Sequence, residues 1–331
     1  MTSSDDPKPN YSRRFAWFAA AIVAAIALYA FGWHYAAGQL SEAVTASVAA
    51  VNRDGRRASC ENADVRGFPF RMGVFCRSVM YEDARGGVAF RARQFRSAAQ
   101  VYAPRHVIGE LDGPATLAAP GIIALDLDWT SLRASARLAQ PIPQRLSVEA
   151  KDLAVRIDEP GDVAPLLWQA ELFELHSRPV DADLDLAIRF GNLVLAPEIV
   201  GTSVIPALRG VIDFQLDEGV SFTLAGQGLR GHSGTLRNAT VHVNDGDAGI
   251  SASGPVSVDE AGLVNAQLEL TFHEPAAVAS ILTQLFPDFA QEIALAGQAV
   301  ASMGDSPVLP MRIANGEISL GIFGLGAIPP L

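Results

Sequence analysis

The sequence predicts a mainly β chain carried on an N-terminal transmembrane helix, and three observations predict it. An apolar run without charge extends from Phe15 to Trp33, the periodicity changes from helical to two-residue after Ser59, and Gly, Pro or Asn turn signals separate the alternating runs that follow. The expected architecture is a transmembrane helix, then a large, curved antiparallel β-sheet domain, with a short helical pair near the C-terminus. About 280 residues lie beyond residue 53, enough to bury a sizeable core.

The run FAWFAAAIVAAIALYAFGW holds nineteen residues. At about 1.5 Å per residue it matches the roughly 30 Å hydrocarbon core of a bilayer. Phe15 opens the span, and Trp17 at one end, with Tyr29, Trp33 and Tyr35 at the other, are placed as interfacial anchors. Lys8, Arg13 and Arg14 precede the run and no Lys or Arg follows until Arg53, so the N-terminus is expected in the cytoplasm and the rest in the periplasm. A cleaved signal peptide is the alternative, because Ala36-Ala37-Gly38 offers a small-x-small pattern, although the run exceeds the 7–15 residues usual for one. Ser12-Arg13-Arg14-Phe15 also resembles a twin-arginine export signal, with the Phe one place early.

Three segments follow from this. Residues 1–12 are polar and aperiodic and read as a disordered cytoplasmic tail. Residues 13–53 form the span and an extramembrane helical extension, in which Leu40, Val44 and Val48 share a face suited to packing on the next domain. Residues 54–331 form the periplasmic antiparallel β domain, as one unit or two sub-domains.

Charge divides the exported part. Residues 53–105 carry eleven Arg against five acids, net +6, whereas residues 106–331 carry ten Arg and Lys151 against twenty-eight acids, net −17. A basic membrane-proximal part suits anionic headgroups, although the same arginines also suit a solvated sheet face. The formal net charge of −11 and the exported compartment argue against nucleic acid as a partner. Inner-membrane lipids, and another envelope protein, remain as expected partners.

Cys60 and Cys76 are the only cysteines, with fifteen residues between them. Their midpoint falls in Arg66-Gly67-Phe68-Pro69-Phe70-Arg71, where Gly and Pro mark a turn between two extended runs. Opposed across a hairpin in an oxidising compartment, they are expected to form one structural disulfide. A metal site lacks further ligands at suitable spacing, and a redox pair is more often Cys-x-x-Cys.

Strand patterns dominate thereafter. Leu184, Leu186, Ile188 and Phe190 alternate with Asp183, Asp185, Ala187 and Arg189, and Val264, Ala266, Leu268, Leu270 and Phe272 with Asn265, Gln267, Glu269 and Thr271. Apolar parity switches near Thr130 and Lys151, which predicts bulges or tight turns there. A hairpin is expected where Ile212–Leu216 meets Val220–Leu224 across Asp217-Glu218-Gly219, and a two-residue turn at Asn315-Gly316. Residues from Pro275 to Leu282 and from Asp288 to about Met303 lose the alternation and read as the helical pair, with Pro275 suited to a first turn.

The chemistry is sparse. Gly226-Gln227-Gly228-Leu229-Arg230-Gly231 matches GxGxxG, but the next segment, Thr235–Asn244, is another β run, so no helix N-terminus waits for a pyrophosphate. Ser233 beside His232 lacks a nucleophile elbow, the six histidines stand singly, and Asp126 with Asp128 is a poor cation site without partners. No cofactor, metal or catalytic residue is expected, and the chain is expected not to be an enzyme. What stands out is the apolar sheet face itself. Leu184, Leu186, Ile188 and Phe190, with Val264, Leu268, Leu270 and Phe272, are candidates to line an apolar groove. The same residues also suit an ordinary packed core, against the late helices or a second sheet.

The arginine-led span, the stapled Cys60…Gly67-Phe68-Pro69-Phe70-Arg71…Cys76 segment and the ending Pro310-Met311-Arg312-Ile313-Ala314-Asn315-Gly316-Glu317-Ile318-Ser319-Leu320-Gly321, closing on Pro329-Pro330-Leu331, resemble the bacterial domain-of-unknown-function family numbered 2125. The resemblance implies an envelope protein of alphaproteobacterial type and implies no activity. In architecture alone the chain is also similar to anchored β-rich proteins of the AsmA-like kind and to lipid-carrying periplasmic folds. Two functions are thus expected, envelope lipid binding or transport through the groove, or a structural or assembly module that binds another envelope protein without a ligand.

Overall fold

The computed structural model describes residues 11–53, 55–119, 123–158, 165–197, 205–225, 228–321 and 323–331. The expected tail falls mostly on residues 1–10, outside the described residues, and Gly226 and Gln227 of the glycine motif lie outside them too. Tyr11 and Ser12 already belong to the first helix.

Helix α1 (Tyr11–Arg53) is unbroken over 43 residues. It is long and apolar enough to cross a membrane, by length and composition, whether as an anchor or as a signal sequence. From Ser12 to Tyr29 its side chains are exposed, whereas Trp33 and Ala37 are buried and Leu40, Val44, Val48 and Val51 half-buried. These positions fall on one stripe at helical spacing. The stripe lies against strands β1 (Arg56–Cys60) and β2 (Asp64–Arg66) and the loop after β2. Trp33 donates its indole N–H to the Arg71 carbonyl at 3.0 Å, Tyr29 donates its hydroxyl to the Pro69 carbonyl, and the Phe68 ring meets Trp33 edge-on at 5.4 Å and stacks on His34 at 5.9 Å. At the far end Asn52 pairs with the Ala58 backbone, accepting its N–H and donating to its carbonyl. The folded domain therefore grips the second half of the helix along its length.

The strands pair antiparallel throughout. After β3 (Arg71–Cys76), β4 (Val79–Asp83), β5 (Val88–Ala92), β6 (Phe95–Gln100), β7 (Ala103–Leu111), β8 (Ala115–Ala118), β9 (Leu125–Asp128) and β10 (Ser131–Arg137), the chain enters a meander of long strands. These are β11 (Arg145–Ile157), β12 (Leu166–Val180), β13 (Asp183–Leu195), β14 (Leu208–Leu216), β15 (Ser233–Val243), β16 (Gly249–Val258), β17 (Val264–His273), β18 (Val308–Ala314), β19 (Glu317–Leu320) and β20 (Phe323–Ala327). From β10 to β20 each strand pairs with the next.

The sheet forks at β11. Its first half pairs with β10, which leads through β7 and β6 to β3 and β2; its second half pairs with β9, which leads through β8 and β5 to β4 and β1. The parity switches mark this fork. Trp129 and Thr130 break the strand between β9 and β10, Asp152 adopts φ 52°, and the Thr130 hydroxyl and amide reach Asp152 and the Lys151 carbonyl.

Cys60 and Cys76 are joined, with Cα atoms 5.1 Å apart. They are not opposed across one hairpin. Cys60 ends β1, whose partner is β4, because the chain turns at Glu61-Asn62 and begins a separate strand; Cys76 ends β3. The bridge therefore ties β1, the last strand of one fork branch, to β3, the last but one of the other.

The expected hairpin partner of β14 is also corrected. Residues Gly219–Ala225 form a short helix, α2, and β15 takes the edge of β14. With that edge taken, Val220 and Phe222 pack instead over Leu184 and Leu216. The Asp183 carboxylate accepts the Glu218 amide, and an added Cβ on Gly219 would lie 2.4 Å from that of Leu184, so only glycine lets the helix sit this low. The late helices form as expected, α3 (Pro275–Leu285) and α4 (Ala290–Ala301), with Pro275 in the first turn. Asn315 and Gly316 both have positive φ, 52° and 84°, as a type I′ turn requires.

The outer face of the meander is polar and its ion pairs follow strand register. Asp185 receives Arg178 at 3.0 Å and Arg237 at 2.8 Å, with only 11% of its side chain exposed. Burial alone would push this carboxyl up, but the hydrogen bonds and charges of Arg237 and Arg178 outweigh it and hold the group below its ordinary value of 3.8. Its stabilising effect is therefore complete above that value and is lost as the pH falls through the lower folded-state value. Asp185→Asn should cost about 1–2 kcal/mol at neutral pH, and in urea titrations the gap between variant and parent should hold above the ordinary carboxylate value of 3.8 and close as the pH falls below it, through the lower folded-state value. Removing the bridge with Cys60→Ala and Cys76→Ala together should lower the urea-derived stability by about 3 kcal/mol, the chain-entropy value for a loop of this size.

Candidate functional site

Cross-strand partners share a face of a sheet, so the registers trace the inner face residue by residue. One row runs Phe272–Ile250–Val241–Gly210–Phe190–Phe173–Ala150–Leu132–Leu111–Phe95–Cys76, across eleven strands, without a polar side chain. A second row runs Leu309–Leu270–Ala252–Ala239–Ile212–Ile188–Leu175–Val148–Ala134–Gly109. The two groups of candidate groove residues, on β13 and β17, thus stand on one face of one sheet with three strands between them. They are not halves of a sandwich.

That face is closed only locally. Leu184 is 8% exposed, packed with Leu216 and Ile142 under Val220 and Phe222, and Leu186 borders this cluster. Val264 and Leu268, at 9% and 8%, form a second cluster with Val258, Ala266 and Ile313, backed by Ile328 of the C-terminal segment. A third, at the fork, gathers Ala150, Leu153 and Val155 against Leu127, Trp129 and Trp168. Between these clusters Ile188, Phe190, Leu175, Ile212, Ala239, Leu270 and Phe272 are only half-buried. Among the described residues no large side chain is fully buried. A face this long with so little cover is a trough, with walls at its ends.

Two recesses open from it. One, of about 390 Å³, lies where α3 leans over the strand ends, between Leu208, Val241 and Ile250 of the sheet and Val278, Leu282 and Leu285 of the helix. The other, of about 830 Å³, lies at the opposite strand ends, bounded by Tyr102, Arg105, Arg137, Ile142, Pro179 and Val220. The trough floor is flattened by aromatic rings laid over glycines. A Cβ on Gly210 would lie 2.4 Å from the Phe190 ring, and one on Gly234 2.4 Å from the Phe214 ring.

The polar candidates remain scattered. Asp126 and Asp128 stand side by side in β9, opposite Arg156 and Ala154 of β11, and Asp128 is occupied by the Trp129 amide. His232 meets Phe222 edge-on at 4.9 Å, and His242 lies 5.1 Å from His273. Among the described residues no three His, Cys, Asp or Glu side chains gather where a metal ion would be held.

Sequence reasoning did not find the covering residues. Ile142 lies in a segment without a sheet period, and the two-residue spacing of Val220 and Phe222 mimicked a strand where the chain forms a helix. Nor did it find that Phe68 reaches the helix. The signal was present, since GFPF places two aromatics on a turn, where solvent exposure offers no reason for them.

No curated protein matches the chain. The sequence model of a bacterial family described as "Uncharacterized protein conserved in bacteria (DUF2125)" matches residues 33–329, from the tryptophan that bonds the loop to the segment after β20. The match covers nearly all of the β domain together with the docked half of α1, and the chain belongs to this family.

Proposed function

We propose that this protein is a membrane-anchored periplasmic protein that handles envelope lipids without catalysing a reaction, holding acyl chains against the inner face of its sheet. The observation that carries this reading is the pair of uninterrupted apolar rows left half-exposed between Leu184 and Phe272. Eleven strands at about 4.8 Å make the longer row about 48 Å, against the roughly 15 Å that one lipid tail spans in a bilayer leaflet. Water against such a floor is costly, at about 25 cal/mol per Å². Hydrocarbon against it is not, and since lipid tails are as apolar as the side chains of the floor, moving a tail from bilayer to trough is nearly neutral. That balance suits exchange over tight retention. The anchor reading draws support from the grip on Trp33 and Ala37, which would be lost on cleavage at Ala36-Ala37-Gly38.

Native mass spectrometry of protein extracted in mild detergent should show co-purifying lipid. Ile212→Asp, at mid-trough, should reduce the bound fraction about tenfold, the effect of about 1.4 kcal/mol, while the circular dichroism of the sheet is kept. A clean apo protein that instead crosslinks to a stoichiometric envelope partner would favour an assembly module. The outer edge of β20, which pairs only with β19 among the described residues, is the feature that such a partner would use.

A further inference from the structure

The strand ends of the meander form two edges, and one of them carries the loop that the N-terminal helix grips. The turns 67–70, 101–102, 138–144 and 181–182, with α2, all lie on that edge. Their tips are apolar and exposed: Phe68 at 49%, Phe70 at 69%, Tyr102 at 77% and Leu138 at 46%. The β2–β3 and β6–β7 turns are joined, the Val101 amide donating to the Phe70 carbonyl at 3.1 Å. Exposed Arg71, Arg105 and Arg137 stand among these tips. Apolar tips between cations match an anionic lipid surface, with rings at the acyl boundary and guanidinium groups at the phosphates.

The helix sets the depth. Phe15 to Trp33 is eighteen steps, about 27 Å of rise, close to the thickness of the hydrocarbon core. Tyr29 and Trp33 therefore stand where hydrocarbon meets headgroups, and they are the residues bonded to Pro69 and Arg71. Phe68 and Phe70 are held at that same level by backbone geometry.

We propose that this edge of the sheet is a second membrane contact, seated in the headgroup layer of the leaflet where the anchor emerges, with Phe68, Phe70 and Tyr102 as its buried tips. The mouth of the 830 Å³ recess, lined by Tyr102, Arg105 and Arg137, then opens at the lipid surface. The proposal rests on the anchor reading and is independent of whether the trough carries lipid.

The test uses the full chain in vesicles of phosphatidylethanolamine and phosphatidylglycerol, with an environment-sensitive fluorophore on one introduced cysteine. The native cysteines, being bridged, do not react. Labels replace Phe70, Tyr102, Val23 in the span, and Phe289, which is 62% exposed on the opposite edge. Lipids carrying a nitroxide near the headgroup should quench Phe70→Cys and Tyr102→Cys at least threefold more than Phe289→Cys, and deep nitroxides should quench Val23→Cys. A quenched Val23→Cys with Phe70→Cys and Tyr102→Cys no more quenched than Phe289→Cys overturns the second contact and keeps the anchor. An unquenched Val23→Cys overturns both.

Discussion

Strand register is the constraint on which this molecule depends. Because directly paired residues share a face, a run such as Phe173, Phe190, Gly210, Val241 and Ile250 can stay apolar only if every strand keeps its alignment with the next; a one-residue slip would turn a whole strand inside out. The irregularities are placed where they do no such damage. The register shifts near Asp213 and Leu236 give up a pairing and resume with the same face inward, as the return to Phe214 opposite Leu236 shows. The polar face confirms the alignment from the other side, since Asp185 draws its arginines from both flanking directions.

A sheet with one apolar face ordinarily hides it under helices or a second sheet. Among the described residues the cover is thin: α2 at one end, α3 at the other, and Ile328 beside β17. Where the fork branches end, the disulfide links β1 to β3, two strands that share no ladder among the described residues.

Much of this was legible in the sequence, for a physical reason. Strand identity follows from alternation, and alternation at Leu184–Phe190 and Val264–Phe272 is clean. The Asn315-Gly316 turn and the Pro275 helix start are local devices, and local devices can be read locally. What could not be read was long-range. Nothing in Ser59–Arg71 indicates that β1 leaves the hairpin to pair with β4, because that choice is made by the edge that β4 offers. Likewise Val220 and Phe222 alternate as a strand would, and become helical only because β15 has taken the edge they would have used. The candidate groove was legible as an apolar face, but its openness depends on what fails to cover it, which no single segment encodes.

The continuity of α1 has a mechanical consequence. Forty-three residues of helix measure about 64 Å, with the second half clamped from Trp33 to Asn52 and no flexible linker before β1 among the described residues. A tethered domain searches the volume that its linker allows; a domain on a clamped mast has almost no search volume. Used as an anchor, such a helix fixes the height of the domain and its orientation relative to the helix, so the protein samples its surroundings chiefly by lateral and rotational diffusion in the bilayer. Whatever it meets must arrive at that one height.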